Sequence, residues 1–288
     1  MKNSHSPRIE PFFHRGSGTL TYLVHDGAHA MIIDSVADLN AASGRLSYAP
    51  CDEVAARADA LELSVDWILE THAHADHLSG GDYLRRRLGA RLGIGRGIQS
   101  VQATFEPVFD MAADDAAAGA AFDRLFDDGD RFEVGSMQVR VLATPGHTDD
   151  SVTYLVGDAA FVGDTLFSPA RGTARCDFPG GSAARLYRTI QTLYALPGDT
   201  RLFLCHDYPD AGDDPVVSVS VDRQRRENAH VTAHTGEQDF VQLREKRDAT
   251  LSVPALIVPA LQVNIRGGAL PAPAGNGTIY LKLPLNRL

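Results

Sequence analysis

Apolar positions recur along this chain in two rhythms. From 19 to 36, "TLTYLVHDGAHAMIIDSV" alternates at Leu20, Tyr22 and Val24, turns through "HDGAH" and returns as an apolar run ending near Asp34. That pattern predicts a hairpin whose second strand is buried. "CDEVAARADALEL" (51–63) has the spacing of an amphipathic helix, and "VDWILET" (65–71) is a short apolar run suited to a strand covered on both faces. "SGGDYLRRRLGA" then predicts a helix with Ser79 as its cap. Ile98, Val101, Phe105, Val108 and Phe109 keep helical spacing, but Pro107 is expected to break any single long helix there. The alanine-rich stretch 110–123 is expected to be exposed. Strand signals return in "RFEVG", "MQVRVLATPG", "SVTYLVGD" and "AAFVGDTLF". A helix over 182–196, closed by Pro197-Gly198, precedes the strand "RLFLCHD". Beyond 251, "PALIVPALQVNI" and "TIYLKLPL" are expected to be strand-like or extended.

Strands dominate both halves, with helices between and after them. The expected architecture is a layered α/β sandwich with two sheets inside and helices outside. With no internal repeat and no clear linker, the expectation is a single domain over 1–288, with an extended C-terminal segment from about 210 to 288.

Composition narrows the function classes. Among 288 residues, 37 acidic against 27 basic give a net charge of −10, which disfavours a surface that tracks nucleic-acid phosphates. The one basic cluster, "DRQRRENAH" (222–230), is interrupted by acidic residues and suits a solvated helix face. No apolar run approaches the roughly 18 residues of a membrane span, and the first residues lack a signal-peptide core. Three scattered cysteines, Cys51, Cys176 and Cys205, suit a reducing compartment, so a cytoplasmic protein is expected.

The candidate chemistry lies where strands end. "VDWILET" runs into His72, His74, Asp76 and His77; "MQVRVLATPG" ends in His147; "AAFVG" ends in Asp164; "RLFLC" ends in His206-Asp207. Imidazoles and carboxylates are suitable ligands for zinc or iron, and strand ends that share one rim would bring them together. His72 and His74 are two apart, so on an extended segment they point the same way. Gly146 and Gly163 permit a sharp turn and a close backbone approach beside His147 and Asp164.

"THAHADH" resembles the H-x-H-x-D-H signature of the metallo-β-lactamase superfamily, and "TPGHT", "GDTLF" and "CHDY" are similar to its later motifs in the same order. The resemblance runs from about 20 to 210 and implies an αββα four-layer sandwich with the site along one edge of the sheets. Asp34 matches a structural aspartate that supports the motif loop. "GDTLFSPARGTARCDFPGG", with its G-x-x-R-x-D-F stretch, and "SVSVDRQRRENAHV", with Asn228 and nearby Asp222, resemble the persulfide dioxygenase (sulfur dioxygenase) branch. These motifs are partly shared with thioester hydrolases of the glyoxalase II type.

The dioxygenase resemblance implies one iron(II) per chain on His72, His147 and Asp164, with His74, Asp76, His77 and His206 around them. It implies glutathione persulfide and O2 as substrates, sulfite and glutathione as products, and a possible homodimer. The hydrolase resemblance implies two zinc ions per chain. One would sit on His72, His74 and His147, the other on Asp76, His77 and His206, with Asp164 between them. A substrate with two carboxylates calls for arginine, which pairs with them bidentately. Arg175 is the first candidate, Arg171 the second, and Tyr208 can supply a hydroxyl. Cys176 and Cys205 are expected to be small buried residues and not nucleophiles.

Overall fold

The computed structural model describes residues 6–111 and 121–287. The first half runs β1 (Arg8–His14), β2 (Thr19–His25), β3 (His29–Ile33), β4 (Val36–Asn40), β5 (Arg45–Ser47) and α1 (Ala49–Ala60). It continues with β6 (Ser64–Leu69), β7 (Leu78–Ser79), α2 (Gly81–Leu88), β8 (Arg91–Gly95), α3 (Ile98–Phe109) and β9 (Arg124–Phe126). The second half runs β10 (Arg131–Val134), β11 (Met137–Ala143), β12 (Val152–Val156), β13 (Ala159–Phe161), α4 (Ala183–Tyr194), β14 (Arg201–Phe203) and β15 (Ser218–Ser220). Three helices close it: α5 (Val221–Glu227), α6 (Glu237–Asp248) and α7 (Ile257–Asn264). No helix among the described residues is long and apolar enough to cross a membrane.

Two six-stranded sheets form the centre, ordered β1-β2-β3-β6-β8-β9 and β10-β11-β12-β13-β14-β15. Their alternation explains the layers. Leu20, Tyr22, Val24, Met31, Ile33, Trp67 and Leu69 face Val139, Val141, Tyr154 and Phe161 across the sandwich. On the other face of the first sheet, Leu23, Ile32 and Ile68 pack under α1, α2, α3 and α7. The second sheet turns Leu142, Ala160 and Leu202 onto α4, α5 and α6. Successive residues of a strand point to opposite faces, so strands apolar throughout are covered twice. This is the αββα sandwich that the resemblance implied.

Several local expectations change. Pro107 does not break the helix: α3 continues to Phe109 with Pro107 in its last turn. The proline removes one hydrogen bond there, while Phe105 and Phe109 seat in the core and hold the turn. "PALIVPALQVNI" is not extended but forms α7. Pro259 falls in its first turn, where backbone N–H groups lack intrahelical partners. Ala260 and Val263 then pack on Ala37 and Leu78. "TIYLKLPL" joins no strand, and Tyr280, Leu283 and Leu285 are exposed. Ser79 lies in β7, one residue before the α2 cap; its Oγ accepts Gly81 N at 2.9 Å and donates to Glu70 Oε1 at 2.6 Å. The basic cluster is α5, where Arg225 pairs with Asp222 and Arg223 with Glu227. Of the alanine-rich stretch, residues 112–120 lie outside the described residues.

Asp26 ties the sheets together at the end of β2 away from the strand-end histidines. Its Oδ1 accepts Ala28 N and His29 N, both at 2.9 Å, and its Oδ2 accepts Ser136 N at 2.7 Å and Ser136 Oγ at 2.8 Å. Burial pushes the carboxyl up, but these four donors outweigh it and hold it well below the usual carboxylate range. The ionised group therefore contributes stability above its unfolded value of 3.8, which is lost as pH falls through the lower folded value. Asp26→Ala is expected to lower unfolding free energy by about 2 kcal/mol at pH 7. In urea titrations the gap to wild type should persist to pH 4.5 and shrink below 3.8. A gap that grows on acidification would contradict this role.

Candidate metal centre

The chain brings its strand-end residues to one edge of the sandwich. The loop after β6 carries His72 to His77, the turn after β11 carries His147, a 3-10 turn over Gly163–Thr165 carries Asp164, and β14 leads to His206. Thr19, opening β2, bridges to His206 and so joins the two sheets at this edge. Gly163 takes a φ of 53°, and a Cβ there would meet Thr71 Oγ1 at 2.6 Å. Only glycine lets the Asp164 turn sit this close to the histidine loop.

Buried polar groups hold that loop. Asp34 leaves β3 with a φ of 54°, unusual for a residue with a side chain. Its Oδ1 accepts Thr71 N at 2.7 Å, its Oδ2 accepts Thr71 Oγ1 at 2.9 Å, and Oδ1 lies 3.2 Å from His74 Nε2. Asp150 Oδ2 accepts Ala73 N at 2.6 Å. From α7, Asn264 Nδ2 donates to His74 O at 2.7 Å and His77 O at 2.8 Å, while its Oδ1 accepts Ser79 N at 2.7 Å.

The rings are oriented from behind. His72 Nδ1 lies 3.0 Å from Thr71 Oγ1, and His147 Nδ1 lies 2.7 Å from Arg175 O. Thr19 Oγ1 lies 3.2 Å from His77 Nδ1 and 3.5 Å from His206 Nδ1. Such contacts leave Nε2 of each ring for the centre. His74 is reversed: its Nε2 faces Asp34 at 3.2 Å and Glu70 at 3.4 Å.

His74 Nδ1, Asp76 Oδ2, His77 Nε2, Asp164 Oδ1 and His206 Nε2 are buried without a hydrogen-bond partner among the described residues. Buried polar atoms are nearly always satisfied, so five orphans in one place call for a ligand. Their chemistry, imidazole nitrogen and carboxylate oxygen, fits a metal ion. Among the described residues, two sets of histidine and aspartate alone have ligand atoms within 4.8 Å of one another: His72, His147 and Asp164, and separately His74, Asp76, His77 and His206. Two further groups bring in Cys205, with Asp34 and His74 or with Asp164 and His206. Asp164 stands between the two histidine–aspartate sets. Its Oδ2 lies 3.9 Å from His72 Nε2 and 3.7 Å from His147 Nε2, and its Oδ1 lies 3.4 Å from His206 Nε2. Metal–ligand bonds of about 2.0–2.2 Å place neighbouring ligand atoms at roughly this separation. His74 groups with Asp76, His77 and His206, and its ring centroid also lies 4.1 Å from that of His72.

Electrostatics separate the rings further. Burial pushes His72 well below the usual histidine range and His77 down to about 4, leaving both neutral near pH 7. Burial also pushes His74 down, but the carboxylates of Asp34 and Glu70 outweigh it and hold His74 well above that range. Burial would raise Asp76, yet His206 and His77 keep it well below the carboxylate range.

A cavity of about 360 Å³ opens over the centre, and its lining includes Asp76, His147, Asp164, His206, Phe167 and Phe178 together with Arg171, Arg175 and Tyr208. Arg175 is already engaged: Nε and Nη2 hold Asp177 at 2.6 and 2.7 Å, and Nη1 donates to Ser252 O at 2.6 Å. Arg171 uses Nη2 on Tyr208 O at 2.7 Å. Tyr208, 50% exposed, lies nearly parallel to the His206 ring. Asn228 stays outside the centre; its Nδ2 donates to Gly172 O at 3.2 Å. Asp222 lies on α5, paired with Arg225. Cys176 and Cys205 are buried free thiols; burial pushes Cys176 up to about 12, out of reach of thiolate chemistry near pH 7.

The model of the metallo-beta-lactamase superfamily matches residues 14–206, which contain every residue of both sets. The chain belongs to the metallo-β-lactamase superfamily. Within it, the His/Asp cluster is a metal-binding cluster of an enzyme fold. A probable metallo-hydrolase of Burkholderia pseudomallei is 45% identical over 97% of this chain and 99% of its own length. Glyoxylase B2 of Dictyostelium discoideum is 40% identical over 100% of this chain and 99% of its own. The human mitochondrial persulfide dioxygenase ETHE1 is 31% identical over 90% and 88%. Among solved structures, ETHE1 from Myxococcus xanthus superposes with a TM-score of 0.73 and 29% identity, over 91% of this chain and 100% of its own. This superfamily member is therefore similar to proteins named for hydrolysis and for oxidation.

All seven ligand candidates of the sequence come to this edge, whereas Thr19, Glu70, Asp150 and Asn264, which hold the histidine loop and its rings, belong to no sequence motif. Asp150 lies three residues beyond His147, a proximity that could have marked it. Asn264 is 187 positions from His77 and has no local signal.

Proposed function

We propose that this protein is a persulfide dioxygenase that holds one iron(II) on His72, His147 and Asp164 and converts glutathione persulfide, O2 and water to glutathione and sulfite. The observation that supports this reading is that His72, His147 and Asp164 form a set of their own. Two histidines and one carboxylate make the facial arrangement of non-haem iron(II) oxygenases. His74 lies outside that set: its Nε2 is held by Asp34 and Glu70, and it groups with Asp76, His77 and His206. Iron(II) bound by the three would leave about three positions open and supply electrons to O2, which redox-inert zinc cannot do.

The chain's own residues orient and enclose the substrate. Phe167 and Phe178 narrow the cavity beside the centre, and Tyr208 stands at its mouth. Arg171 has donors beyond the one spent on Tyr208 O, whereas Arg175 would have to exchange Asp177 for a substrate carboxylate. Arg171 is the better-placed anchor of the two, with Arg175 lining the same wall.

A second reading, a dinuclear thioester hydrolase with two zinc ions, is favoured by Asp164 Oδ1 facing His206 and by the complete second set. The likeness to glyoxylase B2 points the same way. Metal analysis of anaerobically purified protein, coupled to oxygen consumption with glutathione persulfide, separates the two. About one iron per chain with persulfide-dependent uptake is expected. Two zinc ions per chain, no uptake and turnover of glutathione thioesters would favour the hydrolase.

A further inference from the structure

The ring of His147 is oriented by one backbone atom. Its Nδ1 lies 2.7 Å from the carbonyl of Arg175, and a carbonyl only accepts, so Nδ1 carries the proton and Nε2 keeps its lone pair for the centre. What holds that carbonyl is not local. On one side of Arg175, Thr173 O accepts Arg244 Nη1 at 3.1 Å; on the other, Cys176 N donates to Asp248 Oδ2 at 2.9 Å. Arg244 and Asp248 are one turn apart on α6 and pair directly, with side chains only 1% and 5% exposed. Arg244 is among the largest fully buried side chains of the protein.

A buried ion pair is a poor source of stability, since well-packed apolar residues often serve as well or better. An apolar pair could not grip a donor and an acceptor on either side of Arg175. We infer that the Arg244–Asp248 pair is a positioning device that fixes the Arg175 carbonyl and, through it, the tautomer and direction of His147. Substrate contact is no part of this role. Arg244 borders the same cavity as Thr173, Ala174 and Arg175, but the pair acts on His147 through the backbone on either side of Arg175. It gives α6 the part for His147 that α7 plays for the histidine loop. The consequence for metal binding rests on the reading that His147 is a ligand; the clamp on its ring does not.

The test is histidine-ring 15N–1H NMR on the metal-free protein and on the zinc-loaded, diamagnetic form. The His147 Nδ1–H is assigned by its loss in His147→Gln. Two conservative variants keep size and polarity: Asp248→Asn retains an oxygen for Cys176 N but loses the charge that holds Arg244, and Arg244→Lys retains the charge but cannot grip Thr173 O and Asp248 together. In both, solvent exchange of the His147 Nδ1–H is expected to accelerate at least about tenfold, with and without zinc, while the His72 ring signals stay in place. Zinc affinity should fall by about tenfold, the lower end of what disturbing a ligand's outer partners costs. Unchanged His147 exchange in both variants would overturn the clamp. If zinc leaves the wild-type His147 ring signals unmoved, the ligand reading fails separately, because the exchange result in metal-free protein still decides the clamp.

Discussion

Replacing His147 by alanine is expected to strip the metal from the His72–His147–Asp164 set and to abolish persulfide-dependent oxygen uptake. A four-ligand zinc site binds with about 10–16 kcal/mol, so one ligand accounts for roughly 3 kcal/mol and its loss should weaken metal binding by about a hundredfold or more. The fold should survive. His147 sits at the sheet edge beside an open cavity, where water can reach the Arg175 carbonyl that it leaves behind. Iron content by mass spectrometry, oxygen uptake and far-UV circular dichroism measured together make the check. A folded variant that keeps iron and uptake would remove His147 from the ligand set. It would move the metal to His74, Asp76, His77 and His206.

The second large effect is expected at Asn264, outside the motif. Asn264→Ala would leave the carbonyls of His74 and His77 and the N–H of Ser79 without their partner in a buried place. Each such loss costs about 1–3 kcal/mol, so destabilisation of about 3–5 kcal/mol is expected. Denaturant titration of the metal-free variant reads that loss directly. Metal affinity should fall as well, because the loop from His74 to His77 would no longer be held to α7. A variant with wild-type stability would mean that water replaces the amide, and α7 would then merely cover the loop.

These two residues mark the divide between what was legible and what was not. The sandwich could be read because an alternating or continuous apolar run is a local signal, and β2, β3, β6, β11 and β12 each carry one. The ligand candidates could be read because "THAHADH" crowds four of them together and the other three close separate strand runs. Local patterns failed where packing outweighs propensity. Pro107 stays helical because Phe105 and Phe109 are seated in the core, and "PALIVPALQVNI" coils because one of its faces has Ala37 and Leu78 to cover.

The chain's linear order by itself determined the fold class, the edge where chemistry collects and the residue types that do it. Only the tertiary structure decided how those residues divide. His74 turns its Nε2 from the centre because Asp34 and Glu70 are buried beneath it, and burial without water makes that pairing strong. Asn264, Asp248 and Arg244 support the centre from positions remote in sequence, because a hydrogen bond depends on distance in space and leaves no periodic trace along the chain.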